Sequence, residues 1–357
     1  MVRKNLGAVA FLLSVFWVGC KSPDTTPAGP PTPSGTGEVL VACEGAFGTG
    51  NSALTKLPAD TLQPAAEDVF YAANGQQLGD VFQSISGTGT ELALCVNNSN
   101  RVYFIGSQDY RLHATVAITQ PRYVVATGPG RAYVSSLYSN RLFVLDLSSH
   151  TVTDTVYMPY KNGESMLLHN GGLYVGGWDT ANRSLYRIDP GTARITDSFY
   201  LDRRAPQTVL VDKDQNFWVV SGNDQQGVPP ALIKLNPGSG QILGIYDFPA
   251  GKDVLKPCLN AARDTLYWLS VDYSGGAGQS GVFRMPINSA NLPQTPFIAS
   301  GNLQYFWALG IQPTTGTIYI GDPKGFTQRG EVLLYTPSGT LLKRWKTGVG
   351  PGSFFFL

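Results

Sequence analysis

Short apolar runs separated by Gly, Ser, Thr and Pro turns recur from about Val39 to the end of the chain. The clearest are "EVLVACEG", "ELALCVNN", "RAYVSS", "GLYVGG", "NFWVVS", "TLYWLS" and "TIYIGD", and each reads as a strand. Matching positions lie roughly 39 to 53 residues apart, the spacing of propeller blades. Most are followed by a loop and a second run ("RVYFIG", "RLFVLDL", "SLYRIDP", "ALIKLNP", "GVFRMP", "EVLLYTP"). A Gly-rich hairpin turn such as "DPGTARI" or "NPGSGQI" then leads to a third ("TVTDTVYM", "RITDSFYL", "QILGIYDF", "LLKRWKTG"). Ahead of the anchor run lies one more apolar segment in most units: "PRYVVATG", "ESMLLHNG", "PQTVLVDK", "KPCLNAAR", "FWALGIQP". Its nearly continuous apolarity predicts an innermost strand, covered on both faces. The pattern predicts an all-β, seven-bladed β-propeller over residues 38–357.

The first unit has no such segment upstream. The chain ends in "GPGSFFFL", with the Pro-then-apolar start seen in "QPRYVVAT" and "APQTVLVD". Loose in water, this tail would expose an apolar patch. It is expected to close the ring as the inner strand of blade one.

Composition agrees with this class. Only 14% of residues are charged, while 41 are Gly and 24 are Pro. A balance of 26 basic and 25 acidic residues gives no electrostatic case for nucleic-acid binding. The beginning of the chain is separate. Arg3 and Lys4 precede "LGAVAFLLSVFWVG", an apolar run short for a bilayer span, and the run stops at Cys20. "FWVGC" resembles a bacterial lipobox, although Trp17 stands where such signals favour Leu. That resemblance implies a lipoprotein signal over 1–19 and a lipidated Cys20. Residues 20–37, rich in Pro, Gly, Ser and Thr, would form a tether. Lys21 after the cysteine, where inner-membrane retention often has Asp, favours the outer membrane. The domain is then expected to be lipid-anchored, on the cell surface or the periplasmic face. Cys43, Cys95 and Cys258 are an odd number in apolar contexts, which favours buried thiols and leaves a Cys43–Cys95 bridge open.

The stretches "CEGAFGTGNSALTKL", "VFYAANGQQLGDVFQSI", "VNNSNRVYFI", "QPRYVV", "AYVSSLYSNRLFVLDL", "DKDQNFWVVSG" and "GDPKGFTQRGEVLLYTPSGTLLKRWKTGVGPGSFFF" carry a wider likeness. With them the chain resembles the YncE-like, seven-bladed propeller lipoproteins of Bacteroidota. Cys43 stands where that group usually has Asn. The group includes surface lipoproteins, of the BtuG type, that capture cobalamin and pass it to a TonB-dependent outer-membrane transporter. The resemblance implies a binding role without fixing the ligand; cobalamin or another corrinoid is the leading cargo, a transporter the expected partner, and a monomeric domain with no required cofactor is expected.

In a propeller, the loops that enter inner strands and the loops that leave second strands open on one face. Collecting them gives candidate ligand-binding residues rich in rings and amides. The entering loops supply Tyr71, Asn74, Gln77, Asp80, Arg122, Tyr123, Tyr160, Arg203, Arg204, Tyr305 and Trp307. The leaving loops supply Asn97, Asn98, Tyr138, Trp178, Asn223, Tyr273 and Phe326. Rings would cover the apolar edges of a large polar ligand and amides would meet its carboxamides. The same groups would suit an oligosaccharide or a protein loop, and many Asn and Asp residues serve turns alone. "DKDQN" at 212–216 imitates the start of a calcium loop but lacks its Gly and its distant Glu, and reads as a turn. His113, His150 and His169 lack zinc-site spacing, so no metal is expected. Asp80, Arg122, Glu164, Arg203 and Lys256 are expected near the axis. Because the two carboxylates come from different blades, no catalytic pair is assigned, and a lyase or glycosidase is the lesser reading.

Overall fold

The computed structural model describes residues 37–128, 130–272, 280–303 and 305–357. Gly35–Leu357 forms one compact unit. Within it the strands pair into seven antiparallel sheets. Blade two runs Phe82–Gly87, Glu91–Val96, Arg101–Gly106 and Leu112–Ala117, each strand beside the next. Blades three to seven repeat the scheme, with inner strands Pro121–Gly128, Gly163–His169, Pro206–Val211, Lys252–Leu259 and Ala308–Ile311. Inner strands of neighbouring blades pack on one another, and apolar clusters fill the space between successive blades. The inner strands, expected to be covered on both faces, are mostly half-buried, because one side of each borders the axis. The second strands carry the most buried positions instead: Phe217, Trp218, Trp268 and Tyr133 are covered almost completely.

Blade one is assembled from both ends of the described chain. Val39–Cys43 pairs on one side with Ala53–Leu57 and on the other with Pro351–Phe356. Val39 faces Phe356, Leu40 faces Phe355 and Val41 faces Phe354. Strand alternation sends the three rings two ways. Phe354 and Phe356 pack against Tyr319 of blade seven, at ring distances of 5.9 and 5.5 Å. Phe355 turns to the cluster shared with blade two. Gly310 makes room on the blade-seven side, where a Cβ would lie 3.0 Å from both Phe354 and Phe356.

Two features of the inner strands aim side chains. A left-handed residue precedes six of them: Val81, Gln120, Asn162, Ala205, Gly251 and Gly350, with φ between 42° and 83°. Each turns the chain from the outer edge of one blade to the axis of the next. The same six strands then slip register against their neighbours. The extra residues are Gln83, Arg122 with Tyr123, Glu164 with Ser165, Gln207, Lys256 with Pro257, and Gly352. A bulge frees a side chain from the alternation of the sheet and redirects it.

Three elements depart from the repeat. A short helix, Val69–Asn74, capped by Asp68 and ended by left-handed Gly75, sits between blades one and two. Blade one has no full outer strand; a single bridge between Lys56 and Ala66 stands in its place. The outer strand of blade six is only Ile298–Ala299, because Pro293 and Pro296 cannot donate to a ladder.

Candidate functional site

The bulged residues meet at the axis. Arg122 of blade three donates from Nε and Nη2 to both carboxylate oxygens of Glu164 of blade four, at 2.8 and 2.6 Å. Its Nη1 donates to Gln83 of blade two. The Gln83 amide donates in turn to the Tyr123 hydroxyl at 3.3 Å. Burial pushes the Tyr123 phenol well above its ordinary range, and the Glu164 charge adds to the effect. Gln207 is spent on the Gly222 carbonyl of its own blade.

Opposite this pair lies an aromatic group. The Trp307 indole N–H donates to Glu44 Oε1 at 2.7 Å. Gly352 leaves room for that carboxylate, since a Cβ there would meet the Glu44 side chain where it now lies. Phe326 and Tyr305 meet Trp307 edge to face at 5.5 and 6.2 Å. The Lys256 ammonium stands over the Trp307 ring, 5.8 Å from its centre. Lys256 is unusual twice over: it lies in a bulge and has a φ of 50°. A non-glycine residue held there stores strain of about 1–3 kcal/mol. Burial lowers its pKa, partly offset by the charges of Glu44 and Glu164 and deepened by that of Arg122. Blades one, three and four thus act on a residue of blade six, and only the axis is common to them.

Further polar groups open at the same end of the ring. Asp80 is 8% exposed; its Oδ2 accepts from the Gly48 amide at 2.9 Å and from the Asn98 side chain, while Oδ1 has no protein partner. Buried Trp178 Nε1, Ser221 Oγ, Asp322 Oδ2 and Ser353 Oγ also have none. Asp322 ends a second strand and Trp178 follows one, Ser221 faces the first residue of an inner strand, and Ser353 lies early in the closing strand. Five of the six such atoms among the described residues therefore lie at one end. The sixth, Trp268 Nε1, is between blades.

The expected site residues divide accordingly. Arg122, Tyr123, Tyr305, Trp307 and Phe326 converge on the axis, and Asp80, Asn98 and Trp178 surround them. Tyr138 is 65% exposed with a left-handed backbone, its amide held by Asn162. Tyr160 is half-buried between blades three and four. Gln77 and Arg204 are exposed, and Tyr71 is 48% exposed on the short helix. Asn97 donates to the Pro121 carbonyl and ties blade two to blade three. Asn223 caps the turn at Asp224–Gln226. The structure takes one of the expected residues to the opposite end and another from the axis to the rim. Asn74 is bonded to the carbonyl of Tyr110 and the amide of Leu112, in the hairpin that opens at the opposite end. Arg203 is drawn outward into a bidentate pair with Asp247, at 2.7 Å for each bond, on the outer strand of blade five. Tyr273 and Cys20 lie outside the described residues.

Glu44, Gln83 and Lys256 belong to the site although Glu44 and Gln83 were not singled out from the sequence. The signal was a lone polar residue just inside an otherwise apolar inner strand, as in "DVFQS", "PRYVV", "GESML" and "VLKPC". The "DKDQN" segment is a turn: Asp212 accepts from the amides of Asp214 and Asn216 and from the Trp218 indole. Among the described residues no three His, Cys, Asp or Glu side chains are placed to hold a metal. Clefts of about 350 and 370 Å³ lie on the flank of the ring, between blades five and six and between blades seven and one.

No protein-family model matches the chain, and no curated protein matches it. Solved structures do. A quinoprotein alcohol dehydrogenase-like protein from Bacteroides thetaiotaomicron superposes with a TM-score of 0.66 at 14% identity, covering 90% of this chain and 78% of that one. Hydrazine synthase from Kuenenia stuttgartiensis gives 0.60 at 14% identity, over 74% of this chain and 86% of the other. A protein of unknown function from Desulfotomaculum acetoxidans gives 0.58 at 13% identity, over 88% and 99%. Likeness at this level of identity shows the propeller fold alone.

Proposed function

We propose that this chain is a ligand-capturing propeller of the bacterial outer membrane. In this reading it is held by a lipid on Cys20, takes cobalamin or a related corrinoid on the face described above, and passes it to a TonB-dependent transporter. One observation carries the binding role: buried polar atoms without protein partners gather at one end, around an aromatic group. An unmade hydrogen bond at a buried site costs about 1–3 kcal/mol, so such atoms are kept where a ligand or water meets them. The carboxylates at the axis are engaged, Glu164 by both arms of Arg122 and Glu44 by Trp307.

The corrinoid assignment draws on the sequence resemblance and on the match of rings and amides to a large, flat, polar ligand. Isothermal titration of the propeller with cyanocobalamin tests it. Binding is expected, with about tenfold loss on Trp307→Ala. Absence of heat with both cyanocobalamin and cobinamide would remove the corrinoid. A second reading, an oligosaccharide ligand, is favoured by the free rings of Phe47, 81% exposed, and Tyr138. Heat on titration with glycan oligomers, lost on Tyr138→Ala, would select it.

A further inference from the structure

The rim where blade seven meets blade one has a character of its own. The outer strand of blade seven, Leu341–Val349, carries Lys343, Arg344 and Lys346. They line a cleft of about 370 Å³ together with Arg329, Trp345, Leu62 and Glu67. Glu67 pairs with Arg329 at 2.8 Å, and Glu331 lies 3.6 Å from Arg344. Lys343 and Lys346 have no ion-pair partner among the described residues. Beside these cations stand bare leucines: Leu62 is 85% exposed, Leu342 53% and Leu341 41%. Leu168 and Leu243 are also exposed on strands, at 39% and 46%, but only singly; three bare leucines grouped with two lysines that have no ion pair mark a contact surface.

Its position says with what. Leu341 and Leu342 follow the last hairpin of blade seven, and Leu62 follows the third strand of blade one, so all three lie toward the end opposite the candidate site. The chain enters the propeller at that same end. Val39 faces Leu57 and Phe356, the far ends of their strands, and Glu38 is bonded to Lys56 and to the Leu357 amide.

We propose that this rim docks on an anionic lipid surface. Lys343 and Lys346 would meet the head groups, and Leu62, Leu341 and Leu342 would enter the interface. Basic side chains near a charged bilayer and shallow apolar insertion reinforce one another. Docked this way, the propeller turns its candidate site from the bilayer toward incoming ligand. The proposal needs no particular ligand and would stand if the corrinoid reading failed.

Vesicle co-flotation of the propeller without residues 1–34 tests it, since that part is a compact unit and carries no lipid. Binding is expected to vesicles containing phosphatidylglycerol and not to phosphatidylcholine alone, and it should weaken at high salt. The double variant Lys343→Gln/Lys346→Gln should bind at least about tenfold more weakly, and Leu341→Ser/Leu342→Ser should also lose retention. Melting temperatures near that of the parent would show both variants folded. Equal flotation of parent and variants, or no flotation of the parent, would overturn the proposal. Release by inorganic phosphate at constant ionic strength would also overturn it, and would assign the cations to a soluble anion.

Discussion

Deleting residues 351–357 removes the inner strand of blade one and leaves Val39–Cys43 as an open edge. The rings of Phe354, Phe355 and Phe356 are partly buried, so each counts at the lower end of about 1.5–3 kcal/mol for a large apolar side chain. Together they contribute about 4–5 kcal/mol, before the ladder is counted. Backbone bonds lost with the strand include that from the Leu357 amide to the Glu38 carbonyl, and each contributes about 1 kcal/mol net. Whole domains are stable by about 5–15 kcal/mol, so the deletion should remove most of the stability of the ring. Leu40 and Val41, fully covered in the closed form, would then face water.

Guanidinium unfolding followed by tryptophan fluorescence measures this, because Trp218, Trp268 and Trp345 are buried in blades five, six and seven and report on the ring as a whole. The milder Phe355→Ala should cost about 2 kcal/mol by emptying the contact with blade two. If the deletion variant kept a stability within about 1 kcal/mol of the intact chain, closure by this strand would not be what holds the ring.

Three other outcomes are expected. Arg122→Met should cost about 3 kcal/mol or more, because it leaves the Glu164 carboxylate buried and unpaired; adding Glu164→Leu should recover much of the loss in the same unfolding assay. For Lys256 the folded pKa lies below its ordinary value, so between the two values the unfolded chain binds more protons and stability rises with pH up to about 10.5. Lys256→Met should therefore be more stable than the parent near neutrality, and should flatten that alkaline rise in denaturation midpoints. Cys43, Cys95 and Cys258 are free thiols, and burial pushes them up to about 11, 12 and 12. A thiol reagent should spare the buried Cys43 and Cys95 in the folded chain, label the half-buried Cys258 more slowly than a free thiol, and label all three in denaturant.

The blades were readable because their cores are. Unbroken apolar runs at blade spacing mark strands, and a terminal Phe run could be buried only by joining a sheet that lacked an inner strand. Full cover was expected of the inner strands, but it falls on the second strands, because the inner ones border the axis. The sense of the loops followed from strand order, which is why Arg122, Trp307 and Phe326 were found at one end. The axial set was less readable, because it depends on bulges. In "VFQSI" strict alternation gives no reason for Gln83 to leave the sheet, and the slip is fixed by the neighbouring strand, out of sight of local sequence. Asn74 and Arg203 went elsewhere for a similar reason. Their partners, Leu112 and Asp247, are 38 and 44 residues away, and a loop residue follows the bond it can make. The helix at Val69–Asn74 was missed because six residues are too few to show a period.

The two ends of the ring solve the same problem differently. At the end opposite the site, turn after turn consumes its own polar groups. Asp146 accepts from Ser148 and Ser149, Asp189 from Gly191 and Thr192, and Asn236 from Gly238 and Ser239. Asp212 and Asn260 do the same between first and second strands. These are self-sufficient turns, and they favour the hairpins they close. At the site end Asp80, Asp322, Trp178, Ser221 and Ser353 each retain a buried polar atom with no protein partner. At about 1–3 kcal/mol each if left unmet, these five atoms call for water or a ligand at this end, whereas five local turns at the other end meet their polar groups within the chain. Lys256 adds a left-handed backbone and a depressed pKa at the same end. The asymmetry runs with the left-handed turns and bulges that open six of the inner strands at this same end, and it supports that end as the ligand-binding face proposed above.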